Sequence, residues 1–222
     1  MSFHFSLKIV TDGLVLYLDG ANPKSYVSGS TIWNDISKNS NNGTLTNGPT
    51  FDTSNRGCII FDGVNDYVGV NNFIGNLNTF SVNHFIYLNT SQNGKTIFSN
   101  FGNDNNGWVT GISDSQTNVI KFYLGNIVHL YSNTVLQNLI WYSITITYNN
   151  GNPKIYINGV EDNSSSTVLT PSSSYFGNDI GRLGDGSQHF NGGISNIQVY
   201  NRALTPSEVL QNYNSLKGRF GL

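Results

Sequence analysis

Glycoside hydrolysis needs two carboxylates flanking one bond, about 5–9.5 Å apart. The chain offers two glutamates, Glu161 and Glu208. Glu161 follows the hairpin signal Asn158-Gly159, where a solvated turn accounts for it. Glu208 stands three residues after Thr205, with Pro206 at the first helical position, which makes it the acidic half of a capping box. Asp114, Asp179 and Asp185 fall in polar loops. No Gly-x-Ser-x-Gly elbow occurs, and no His or Cys pair has zinc spacing. The glycine-rich stretch from Gly181 to Gly186 is not followed by a long helix, so it reads as a loop and not a phosphate cradle. His4, His84 and His129 fall in alternating strand segments and His189 in a turn, all structural positions. No catalytic residue is assigned, and the protein is not expected to be an enzyme.

Sugar binding needs an exposed aromatic platform beside polar hydrogen-bonding groups. Trp108, next to Asp104, Asn105 and Asn106, meets that description, as does Tyr175 after a Ser-rich stretch. These five are the candidate ligand-binding residues. Trp33 and Trp141 read as core.

The elements that must position such residues are written in the composition. The 222 residues include 34 Asn, 25 Ser, 17 Thr and 24 Gly, and only 11% are charged. Asn and Gly favour turns, while Ile, Val, Thr, Tyr and Phe suit a pleated surface. A helix bundle, a coiled coil and a doubly wound α/β fold are excluded on this ground, and 13 Phe with 12 Tyr exclude disorder. Strands are expected at 3–10, 14–19, 58–61, 67–70, 80–88, 96–99, 108–112, 119–124, 127–131, 140–148, 154–157 and 194–200. In 140–148 the even-numbered residues share one face and Trp141, Ser143, Thr145 and Thr147 the other, which predicts one buried and one wetter face. One helix is specified after Thr205, with Val209, Leu210, Tyr213 and Leu216 as its apolar stripe and Gly218 as its stop. Cys58, the single cysteine, sits in an apolar run and reads as a small core residue. The expected architecture is all-β, a sandwich or a barrel of antiparallel strands, with one short C-terminal helix.

Net charge is −2, with eleven basic residues spread thinly, so nucleic acid is not an expected partner. The apolar stretches are too short for membrane insertion. The start alternates Phe3, Phe5 and Leu7 with polar residues and carries no basic leader, so it reads as a strand and not a signal peptide.

Three stretches carry a family likeness. One runs from Ile9 to Asp19 and on through Asn22, Pro23 and Tyr26. A second joins Trp33, Asp35 and Ser37 to Asn41, Asn42 and Gly43, and continues to Phe61, Asp62, Gly63, Asp66 and Tyr67. The third runs from Phe190 through Gly193 and Ile194 to Tyr200, Arg202 and Leu204. Together they resemble the laminin-G-like, concanavalin A-like lectin/glucanase jelly-roll domains, in the form common among structural proteins of tailed marine and cyanobacterial phages. The resemblance covers residues 9–222, leaving 1–8 as an N-terminal strand or docking arm. It implies an all-β, antiparallel two-sheet jelly-roll sandwich with one short C-terminal helix, and a non-enzymatic virion protein, a capsid decoration or a tail or fibre component. Such a protein is made in the host cytoplasm, touches other virion proteins or copies of itself, and meets host-surface glycans. A soluble lectin-like module outside a virion is the alternative, and a glycan-active hydrolase the third. Glucan-cutting members carry a strand with acidic residues at alternate positions, which this chain lacks. The family also implies a possible calcium site, for which Asp19, Asp62, Asp66 and Asp104 are the metal candidates. Where many members have an acidic pair after the C-terminal Gly-x-Ile, this chain has Ser195 and Asn196. No other cofactor is expected.

Overall fold

Short runs of β-branched and aromatic residues, broken by Asn and Gly at positive φ, fold into strands of two to ten residues. The computed structural model describes residues 8–71, 78–101, 107–125, 127–166 and 177–222. In chain order the strands are β1 (Leu14–Asp19), β2 (Ile32–Trp33), β3 (Gly43–Thr46), β4 (Thr50–Asp52), β5 (Cys58–Asp62), β6 (Tyr67–Val70), β7 (Thr79–Leu88) and β8 (Lys95–Phe101). They continue with β9 (Gly107–Ile112), β10 (Val119–Leu124), β11 (Ile127–Val135), β12 (Tyr142–Asn149), β13 (Asn152–Ile157), β14 (Val160–Ser164), β15 (Asn178–Ile180) and β16 (Asn191–Tyr200). Helix α1 (Pro206–Leu216) follows.

All pairings are antiparallel among the described residues. One sheet runs β14-β13-β12-β7-β16-β5-β4, with β1 sharing the β5 edge of β16. The other runs β11-β10-β9-β8-β15-β6-β3-β2. Their inner faces interdigitate: Leu18, Val82, Ile86 and Ile144 of the first sheet join one core with Val68, Phe98, Ile120 and Phe122 of the second. Burying each such side chain is worth roughly 1.5–3 kcal/mol, which makes this core the main support of the fold. Asn158 and Gly159 have φ of 52° and 80°, the conformation a two-residue primed hairpin turn requires.

A polar pair, His84 and Thr110, enters the core. His84 shares a face of β7 with Phe80, Val82 and Ile86, and its Nε2 lies 2.9 Å from Thr110 Oγ1 of the opposite sheet. Burial lowers its pKa to about 3, so the ring is neutral across the physiological range. Cys58 is fully buried, and burial pushes its thiol up to about 12. An inert core residue is the outcome.

Two sequence expectations are corrected, and a third falls mostly outside the described residues. The second face of β12 is not wet: Ser143, Thr145 and Thr147 are buried, and the first two hydroxyls donate to Asn83 Oδ1 at 3.2 and 2.9 Å. Neighbours on that face carry the C-terminal segment, which packs through Phe220 on Phe85 and Trp141 and through Val209 on Tyr156 and Tyr200. Period-two hydroxyls therefore mark a second buried layer, with Asn83 accepting from two of them. The strand expected at 3–10 lies mostly outside the described residues, and residues 8–10 join neither sheet. Asn212 Oδ1 accepts from Val10 N at 2.8 Å, and Gln211 Nε2 donates to Lys8 O at 2.8 Å, so the helix takes the backbone partners a sheet would have supplied. Gly218 does not stop the helix by a left-handed turn; α1 passes into a 3-10 turn, Lys217–Arg219, and positive φ comes at Gly221. Strands β2, β3, β4, β14 and β15 were not foreseen, because two to five residues are too few for alternation to be read.

Candidate functional site

On the outer face of the second sheet, strand register lines up one row of residues across six strands: Thr44, Gly69, Asp179, Ser99, Val109 and Tyr123. A second row holds Thr96, Gly111, Lys121 and Tyr131. Residues 181–190 fold across these rows. Ser99 Oγ donates to Arg182 O at 3.0 Å, and Thr96 donates to Gln188 from both its backbone N–H and its hydroxyl.

Two aromatic–cation groups flank the covered strip. Arg182 lies flat over the Tyr67 ring, 3.3 Å from guanidinium carbon to ring centre, and its Nε donates to Asp179 Oδ2 at 2.8 Å. Burial raises the Asp179 pKa, against the opposing pull of Arg182. On the other flank Lys121 Nζ donates to Asp114 Oδ2 at 2.8 Å and Gln188 Oε1 at 3.2 Å, and sits 5.1 Å from the Tyr123 ring centre. The Lys121 side chain is 2% exposed and Asp114 43%, so only the carboxylate reaches solvent. Tyr67, Tyr123 and Tyr131 are half-buried, each presenting part of a ring. Planar rings beside fixed hydrogen-bonding groups suit the apolar face and hydroxyl rim of a sugar. Each carboxylate here is paired with a cation, Asp179 with Arg182 and Asp114 with Lys121.

The residues singled out from the sequence are placed differently. Trp108 is corrected: it is 4% exposed, points into the core and packs on Phe80 and Phe98 with ring centres 5.3 and 5.1 Å apart. Its β9 position alternates inward with Thr110 and Ile112, so it offers no open platform. Asp104, Asn105, Asn106 and Tyr175 lie outside the described residues. The strand ends that flank those segments are neighbours, since Asn100 Nδ2 donates to Asn178 Oδ1 at 2.8 Å. Asp19 forms a two-pronged ion pair with Arg219, at 3.0 and 2.8 Å, and accepts from Tyr17 OH. Asp62 caps its own turn by accepting from Val64 N, and Asp66 accepts from Asp62 N. Asp19 pairs with Asn196 and Asp62 with Asn191, five positions apart on β16 and thus separated by roughly 16 Å along the strand. Asp19 is therefore not brought together with the Asp62 turn. No group of three or more His, Cys, Asp or Glu able to hold a metal is found among the described residues. No helix among the described residues is long and apolar enough to cross a membrane.

Tyr67, Arg182, Asp179, Lys121 and Tyr123 were missed as a set. The available signal was phase: in 119–124 the apolar Ile120, Phe122 and Leu124 alternate with Lys121 and Tyr123. The overlay of 181–190 on that face had no such signal.

A family model described as the concanavalin A-like lectin/glucanases superfamily, Laminin_G_3, matches residues 62–210. No curated protein matches. Among solved structures, domain 4 of AbnA, a GH43 extracellular arabinanase from Geobacillus stearothermophilus solved in complex with arabinotriose, is 18% identical with a TM-score of 0.72. That likeness covers 90% of this chain and 98% of the other. The binding domain of Paraclostridial Mosquitocidal Protein 1 is 20% identical with a TM-score of 0.69, over 92% of this chain and 52% of that one. The botulinum neurotoxin type G receptor binding domain is 23% identical with a TM-score of 0.64, over 91% and 51%. The chain thus spans about half the length of these toxin binding domains.

Proposed function

The chain belongs to the concanavalin A-like lectin/glucanase superfamily, and from that premise we propose that it is a non-catalytic glycan-binding module that uses the outer face of its second sheet. The observation that carries this reading is the Tyr67–Arg182–Asp179 stack, a ring, a guanidinium and a carboxylate fixed side by side at the margin of the face. A sugar would meet the guanidinium and carboxylate through its hydroxyls and the exposed part of the Tyr67 ring through its apolar face. The solved complex of AbnA domain 4 with arabinotriose supports the reading by showing a short oligosaccharide on a domain of this fold.

The proposed setting is a tailed-phage virion, with the module on the capsid, tail or a fibre, in contact with other virion proteins or copies of itself and with host-surface glycans. The motifs at the two ends of the chain support that setting, and mass spectrometry of purified particles tests it.

Binding is tested on a glycan array that includes arabinotriose, with wild type and Tyr67→Ala side by side. Wild type retains at least one oligosaccharide, and Tyr67→Ala weakens it by about tenfold or more, the scale of losing one stacked ring. Absence of retention on every glycan, or equal retention by the variant, removes this reading. Turnover of the retained glycan would replace it with the hydrolase.

A further inference from the structure

On the other sheet, β1 borders a cavity of about 560 Å³, within the size range of small-molecule sites. Leu14 and Tyr17 of β1 line one side, residues 36–38 another, and residues 8–11 with the helix end at Ser215 and Leu216 close the rest.

Its charge is one-sided. Lys8 and Lys38 line it and, among the described residues, no carboxylate does. The acidic groups on the adjoining elements are already engaged. Asp35 accepts from Tyr17 N, Ser37 N, Ser37 Oγ and Asn41 N at 2.8–3.0 Å. Asp19 is neutralised by Arg219, and Asp12 pairs with Arg202. Lys217 at the helix C-cap offsets the carbonyl end of α1. Lys38 holds φ at 89°, a conformation side chains with a β-carbon rarely adopt. The loop that carries it is tied to β1 by Asn39 Nδ2 donating to Leu14 O and Asn41 Nδ2 donating to Val15 O. The lysine is therefore presented from a fixed backbone, which reduces the ordering a ligand must impose.

The rest of the lining alternates two chemistries. Thr11, Tyr17, Ser37 and Ser215 bring hydroxyl oxygens, of which Tyr17, Ser37 and Ser215 already donate their protons to Asp19, Asp35 and Asn212 and so meet a ligand only as acceptors, while Ile9, Leu14, Ile36 and Leu216 contribute aliphatic surface. Hydroxyls, aliphatic walls and unopposed ammonium groups together suit one ligand class: a polyol ring with an apolar face and a carboxylate. We infer that this cavity binds an acidic saccharide of one or two rings, its carboxylate held by Lys8 and Lys38. The site is independent of the aromatic face on the second sheet.

Isothermal titration of the full chain with digalacturonate, and with neutral galactobiose as control, tests the inference. Wild type binds digalacturonate, more weakly as salt is raised, and prefers it to galactobiose. Lys8→Gln with Lys38→Gln, two exposed positions that leave the core untouched, lowers affinity on the order of tenfold, the size expected for lost charge-assisted contacts. Tyr67→Ala leaves it unchanged, which separates this site from the glycan face. The inference is overturned by no binding to wild type, by equal binding of galactobiose, or by full affinity in the double lysine variant. Binding seen only after residues 1–7 are removed also overturns it, because the chain's own start would then be the occupant.

Discussion

His84 and Glu208 show how burial and partners assign opposite duties to two titratable side chains. The folded protein keeps His84 unprotonated down to about pH 3, whereas an unfolded chain takes up the proton below its ordinary value of 6.5. Acid therefore draws the equilibrium toward the unfolded state throughout that interval, at up to about 1.4 kcal/mol per pH unit for one proton. His84→Leu is expected to flatten the fall of stability between pH 6.5 and 3, which urea titrations at a series of pH values will measure; parallel profiles would show that the ring is not sealed in the core. Glu208 runs the other way. Arg202 and the Thr205 hydroxyl and N–H hold its carboxyl down at about 2, from an ordinary 4.5. Its stabilising effect is complete above the ordinary value and is lost as pH falls toward 2. Glu208→Gln should accordingly be less stable than wild type at neutral pH and converge with it near pH 2.

At the scale of the element, α1 is held at its start by its cap and along its length by a buried asparagine. Thr205 Oγ1 accepts from Glu208 N while Glu208 Oε2 accepts from Thr205 N, both halves of the capping box the sequence predicts. Thr205→Ala should cost about 0.5–2 kcal/mol, read as a lower denaturation midpoint at unchanged slope. Asn212 is the less foreseeable feature. It sits on the buried side of the helix, 1% exposed, where the apolar stripe would place a leucine. Its side chain joins Val10 N to Tyr200 OH at 2.8 and 3.0 Å, pinning residues 8–10, the helix and β16 to one another. Asn212→Ala leaves those buried groups unpaired and should cost about 1–3 kcal/mol. Amide exchange at Val10 should rise in step; protection unchanged at Val10 would show that the link is incidental.

For the whole molecule, two interlocking sheets and a covering helix account for stability through core burial, with Asp19 engaged by Arg219 and Asp62 and Asp66 by their own turn. Chelator is expected to shift the melting temperature by no more than a few degrees, since a shift of 2–4 °C in a chain this size corresponds to only about 1 kcal/mol. A collapse on adding chelator would instead make residues 102–106, with Asp104, the first place to look for a metal.

Much of the architecture was legible because it depends on local periodicity. Alternating apolar residues placed the long strands, Asn158-Gly159 the hairpin, and Thr205-Pro206-Ser207-Glu208 the helix start, all signals contained within a few neighbouring residues. The terminal motifs carried the family resemblance in the same way. Which face each strand turns to its neighbours was not legible. Trp108 reads as a platform beside an Asn-rich loop, yet sheet pairing turns it inward. Tyr67 and Arg182 stand 115 positions apart in the chain, and only the packing of residues 181–190 across β6 and β15 stacks one on the other. The hydroxyls of β12 looked wet until the C-terminal segment covered their sheet. Local sequence determined where strands and turns form, because hydrophobic alternation and turn chemistry act over a few residues. Tertiary structure alone decided which residues meet at a site, because that depends on contacts between segments far apart in the chain.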